Sequence, residues 1–145
     1  MPIDRLRYPC LRINKDNIMY SRGMGRPFDF VDRDHMAYWS NPPRTIVVDE
    51  TGRALRLVRI ASSRPSFNPL TYLAKSPSRS VRWETEDLGV IPLEELRKQI
   101  IDLVAANGWF TQSWENENQF RERIGRTSSY RELFEEANYY GKWKG

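Results

Sequence analysis

"TIVVDETGRALRLVRIAS", residues 45–62, decides the fold. Two apolar runs flank "DETGR" (49–53), and Gly52 supplies the turn, so the stretch reads as a β-hairpin. Along its second strand Leu55 and Leu57 take one face, and Val58 and Ile60 take the other. Both faces of this strand are therefore expected to be partly covered.

The neighbouring segments extend the sheet. Upstream, "RYPCLRIN" (7–14) and "NIMYSRG" (17–23) are short and mix β-formers with polar residues, as strands do. Downstream, "SVRWETE" (80–86) alternates cleanly. Val81, Trp83 and Thr85 point one way, and Arg82, Glu84 and Glu86 the other, which predicts a half-buried strand. Between them, residues 62–80 carry three prolines and six serines and read as a loop, pinned by Phe67, Leu70, Tyr72 and Leu73.

The period then changes. "IPLEELRKQIIDLVAANG" (91–108) sets Leu93, Leu96, Ile100, Leu103 and Val104 on one helical stripe. Pro92 suits the first helical position, Glu94 and Glu95 favour the positive end, and Asn107-Gly108 is a stop. "NQFRERIG" predicts a shorter helix through Phe120 and Ile124, ending at Gly125. In "SSYRELFEEANYYG", Ser129 and Glu132 stand in capping-box register, with Leu133, Phe134 and Ala137 inward and Gly141 as the stop. Strands first and helices last predict an α+β fold: an antiparallel sheet from residues 5–90, with helices near 92–107 and 129–140 packed on one face. Leu96, Ile100, Leu103, Trp83 and Phe134 are the expected core.

At 145 residues the chain fits a single domain, and there is no internal repeat or long linker. No apolar run approaches the ~20 residues that span a bilayer, and the N-terminus lacks a signal-type apolar region. Cys10 is the lone cysteine, so no internal disulfide can form, and a cytoplasmic location is the simplest expectation. The net charge of +4 hides a split: residues 1–82 are net +8, and residues 83–145 net −4. A basic half suits nucleic acid or an acidic partner. Arg outnumbers Lys 18 to 5, a bias that GC-rich coding produces without selection for binding.

Motifs with chemistry are scarce. His35, in "DFVDRDHMAYWS" (29–40), is the only histidine. With Asp32 and Asp34 it offers three ligands; on a strand His35 points away from the two aspartates, and in a tight turn the three could converge, although Asp is common in turns for its own backbone hydrogen bonds. A solvated or capping role is the simpler reading, so neither a metal nor a cofactor is expected. Cys10 has no positioned base, and no GxSxG, GxxxxGK[ST] or GxGxxG run occurs. "SRGMGRPF" (21–28) has two glycines and two arginines suited to a phosphate, or to a turn between strands. The paired acids of "ETEDLG" and "LEELRK" fall on solvent faces rather than across a cleft. Arg53, Arg56 and Arg59 lie along one hairpin strand, while Arg79 and Arg82 flank the alternating strand, and together they are the candidate nucleic-acid contact. The strongest helix, however, opens with two acids where a recognition helix would meet bases. Trp109, Phe110 and Trp114 could form a partner hot spot, but core packing is favoured.

From 81 to 141 the order is "VRWETEDLG", "PLEELRKQIIDLVAANGWF", a tryptophan among polar residues, a short helix, and "SSYRELFEEANYYG". This layout resembles small immunity proteins of bacterial polymorphic and contact-dependent toxin systems. In many of them, helices of the "LEELKKKI" and "SFKELIE" kinds pack on an antiparallel sheet. The resemblance implies a non-enzyme that covers a cognate toxin domain. Such proteins share no motif, so no functional residue carries over. Immunity proteins against nucleases are often acidic; this chain is basic, which implies a partner with an acidic surface. By residue type, the expected partner contacts are Arg53, Arg56 and Arg59, or "RDHMAYW" with His35, Tyr38 and Trp39. Nucleic-acid binding by the basic half is the alternative, and the oligomeric state stays open.

Overall fold

The structure, a computed structural model, describes residues 3–23, 28–65, 78–112 and 114–138. The strands are β1 (Cys10–Ile13), β2 (Ile18–Ser21), β3 (Phe30–Asp32), β4 (Ile46–Asp49), β5 (Arg53–Pro65) and β6 (Ser78–Val90). They form one six-stranded sheet in the order β2-β1-β4-β5-β6-β3, with every pair antiparallel. A single helical turn, α1 (Met36–Ser40), follows β3. Then α2 (Leu93–Asn107), α3 (Glu117–Gly125) and α4 (Tyr130–Ala137) close the described chain. The α+β expectation holds.

Alternation sorts the core into two sides. Leu11, Ile13, Ile18, Ile46, Val48 and Ala54 meet the three C-terminal helices through Leu96, Ile100, Val104, Phe120, Ile124, Leu133 and Phe134. Each Val, Leu, Ile or Phe side chain among them, fully buried, is worth roughly 1.5–3 kcal/mol of transfer free energy. The opposite face holds Cys10, Val47, Leu55 and Leu57 against Leu6 and Phe28. Further along it, Val81 packs with Val31 and Trp39. Two expected core residues are only half-buried. Leu103 lies at the margin of the helix stripe, and Trp83 lies on the second face, which the three C-terminal helices do not cover.

The caps follow from the local sequence. Gly108 takes φ +67° and closes α2, the left-handed cap that Asn107-Gly108 predicted. Pro92 stands at the N-cap, one position before its expected place. Ser129 Oγ accepts from the Glu132 N–H at 3.1 Å, as a capping box requires. The Glu132 carboxylate, however, accepts from Ser128, at 2.7 Å from its N–H and 2.9 Å from its hydroxyl, instead of from the N-cap backbone. Trp114 is buried and stacks at 4.7 Å on Phe120, a core role, while Trp109 and Phe110 are half-buried beside it.

Three corrections concern the sheet and its margins. The expected loop 62–80 is paired strand at both ends: β5 runs on to Pro65, and β6 begins at Ser78. Ladder hydrogen bonds come from the backbone, so Ser and Pro at a sheet margin do not forbid them. The pinning residues Phe67, Leu70, Tyr72 and Leu73 fall outside the described residues, as do Gly25, Arg26 and Gly141. Next, β3 and α1 were not expected as separate elements; they are three and five residues long, too short to show a period. Finally, the pairing of β5 with β6 shifts register three times, including between Leu57 and Arg59 and between Ile60 and Ser62. The extra residue at Val58 rotates the strand, so Ile60 shares a face with Leu57 and does not oppose it.

Candidate functional site

The β1–β2 turn builds the first wall of the site. Asn14 is buried, and its Oδ1 accepts from the Asp16 and Asn17 N–H groups at 2.9 and 3.0 Å, an Asx-type turn. Its Nδ2 donates to Thr45 Oγ1 at 3.2 Å and to the Tyr38 hydroxyl at 3.1 Å. The Tyr38 hydroxyl in turn donates to Asp16 at 2.7 Å. Burial, followed by this bond to Asp16, pushes the phenol up to about 12. Tyr38 is thus a fastening that ties α1 to the turn, although its ring remains 37% exposed.

With α1 fixed, Trp39 sits inside the fold, its ring edge-on to Tyr38 at 4.7 Å and to Trp83 at 5.5 Å. The Arg12 guanidinium lies 4.7 Å from the Trp39 ring centroid, a cation–π contact. Trp83 Nε1 donates to the Phe28 carbonyl at 2.7 Å, which sets the angle of the indole. Arg12, Phe28, Phe30, Val31, Asp32, His35, Trp39 and Trp83 together line a cleft of about 180 Å³. Phe30 stands at its rim, 44% exposed.

The "RDHMAYW" residues therefore do converge, though not in the manner the sequence suggested. His35 Nδ1 lies 3.8 Å from Asp32 Oδ2, and both side chains are more than half exposed. Neither residue caps its helical turn through its side chain. Among the described residues, no three His, Cys, Asp or Glu side chains gather in a metal-holding arrangement. Arg12, Phe28, Phe30 and Trp83 went unnoticed as site residues. Only the phase of Cys10 and Arg12 against Leu11 and Ile13 hinted that an arginine faces a covered side.

The arginine stripe is divided. The register shift at Ala54/Leu55 leaves its extra residue, Leu88, on β6, so along β5 Arg53, Leu55 and Leu57 share one face, whereas Arg56 takes the other. The Val58 bulge brings Arg59 onto the Arg56 face. There Arg56 pairs with Glu86 at 2.9 Å and Arg59 with Glu84 at 3.2 Å, across the ladder. These exposed pairs contribute little stability, but they occupy the guanidinium groups. Arg53 lines a separate open cavity of about 830 Å³ with Arg5, Arg7, Asp49, Thr51, Asp87 and Val90. Asp49 is buried there and accepts from the N–H groups of Arg7, Thr51 and Arg53 at 3.2, 2.8 and 3.2 Å. Its work is to hold the hairpin turn.

No helix among the described residues is long and apolar enough to cross a membrane. Comparisons with protein-family models, with curated proteins and with solved structures return no match.

Proposed function

We propose that this chain is a non-enzymatic binding protein that neutralises a protein partner by covering it, as an immunity protein covers its toxin. The observation that supports the reading is the cleft face. Trp39, Trp83, Arg12 and Phe30 gather around one cleft, with Tyr38 beside Trp39, and Phe30 and Tyr38 reach the surface. Tryptophan, tyrosine and arginine are the residue types that most often dominate binding energy, and they do so from pockets at the centre of an interface. The layout of residues 81–141 gives the immunity form of the proposal. The chain then acts by occupancy, and His35 has no chemical step to perform.

The test is co-expression with the C-terminal domain of any large toxin or secretion-system protein encoded beside this chain. The wild-type protein should co-purify with that domain and restore growth. Phe30→Glu, a change at an exposed rim, should weaken capture at least about tenfold, the scale of one hot-spot residue. His35→Ala should leave protection intact. Absence of both capture and rescue by the wild-type protein defeats the reading.

A further inference from the structure

Arg12 is the unusual charge in this fold. It sits in β1 between Met19 and Val47 on the neighbouring strands, with its guanidinium against Trp39. Nη2 donates to Asn17 Oδ1 at 3.3 Å, whereas Nε is buried and has no hydrogen-bond partner. No carboxylate among the described residues forms an ion pair with it. Burial lowers its pKa from the ordinary arginine value, and the one opposing influence is its interaction with the Tyr38 phenol. An arginine remains protonated at neutral pH regardless. Arg12 as a whole is half-buried, and a desolvated donor with an unmade hydrogen bond is costly. Arg12 therefore brings a guanidinium without a carboxylate partner among the described residues to the wall of a cleft.

The cleft limits what can meet it. Its volume of about 180 Å³ is well under the ~300 Å³ at which small-molecule sites begin, and suits one side chain. Trp39, Trp83, Phe28 and Phe30 offer apolar walls for methylenes. Asp32 stands in the same cleft beside His35, and opposes a second negative charge.

We propose that this cleft is a socket for a single carboxylate side chain, Asp or Glu, presented by the protein partner. The carboxylate accepts from the Arg12 guanidinium while its methylenes lie along the indoles of Trp39 and Trp83. The assignment rests on the binding reading above, and it adds the chemistry of the partner's anchor.

The test uses propionate, the side chain of Glu, against propionamide, the side chain of Gln. Both are titrated into the full chain at constant ionic strength, and the Arg Nε–H and Trp indole N–H resonances are followed. Propionate should shift the Arg12 and Trp83 signals saturably in the millimolar range, and propionamide should bind at least about tenfold more weakly. In Arg12→Met the two probes should become equivalent. The acid–amide comparison in the wild-type protein keeps the test valid if that variant folds poorly. Equal binding of acid and amide, or no saturable shift at Arg12, overturns the socket, even if Phe30→Glu still abolishes partner capture. Propionate binding without capture of any protein overturns the assignment to a partner's side chain.

Discussion

Ile100 and Cys10 show how much of this fold hangs on single side chains. Ile100 has no accessible surface and lies where α2 meets α3 and α4. Ile100→Ala should cost roughly 2–5 kcal/mol, read from the urea midpoint, because the methylenes are lost and a cavity remains. Cys10 is equally inaccessible, and its thiol donates to the Arg7 carbonyl at 3.5 Å. Burial first, then the nearby Asp49 and Glu50 carboxylates, push the thiol up from 9.0 to about 12. Between those two values the unfolded chain loses a proton that the folded chain keeps. The stabilisation is therefore complete below pH ~9 and fades as the pH climbs towards 12. Urea midpoints should fall across that window, and less so in Cys10→Ala. At pH 8 the native thiol should resist iodoacetamide and react only when the protein is unfolded. Equal alkylation rates in both states would show that Cys10 is not buried. The sequence made the absence of a disulfide plain, but the environment of Cys10 follows from strand phase and cover, which needed the pairing.

At the scale of elements, the hairpin turn carries more than its own geometry. Gly52 takes φ +87°, and a Cβ built there would run into the Tyr130 ring. Tyr130 opens α4, and its hydroxyl donates to the Ile91 carbonyl at 2.8 Å; the Ile91 N–H donates back to the Gly52 carbonyl at 3.0 Å. The turn that looked purely local therefore seats the last helix. Gly52→Ala should cost more than the ~1–2 kcal/mol of a left-handed alanine alone, because Tyr130 must also move. Tyr130→Phe should not rescue it, because the ring still clashes. A thermal melt of Gly52→Ala that matches the wild type would refute the close approach. The turn and the three long helical segments were legible because Gly52, the caps and the 3.6-residue stripes are local signals. The bulges were not. An extra residue at Val58 changes no composition, yet it decides that Arg56 and Arg59, three apart, share a face while Arg53 does not. The cleft was hidden for the same reason. Arg12, Phe30, Trp39 and Trp83 belong to four different elements, and only the curl of the sheet joins them.

On the scale of the whole molecule, the charge split of the sequence does not become two poles. Acids of the second half fold back on the basic first half, Glu86 on Arg56 and Glu84 on Arg59, and in the opposite sense Arg131 pairs with Glu50. This bears on nucleic acid, the alternative reading. A phosphate contact needs a cation whose counter-ion is mobile, because release of condensed ions from the duplex drives such binding. Arg56 and Arg59 already face carboxylates, and a phosphate would have to displace them. Arg5, Arg7 and Arg53 share their open cavity with Asp49 and Asp87, so that cluster is partly compensated too. Binding to a labelled 20-base-pair duplex, followed by fluorescence anisotropy, should then be weak and blind to sequence. At ~0.15 M salt the Kd should fall in the non-specific range of ~10⁻⁴–10⁻⁶ M. The log–log salt slope should be shallow, set by the few uncompensated arginines at roughly −0.9 per phosphate contact. Glu84→Gln with Glu86→Gln should steepen the slope by freeing Arg59 and Arg56. A sub-micromolar complex with one defined sequence at that salt would reverse the ranking and put nucleic acid ahead of a protein partner.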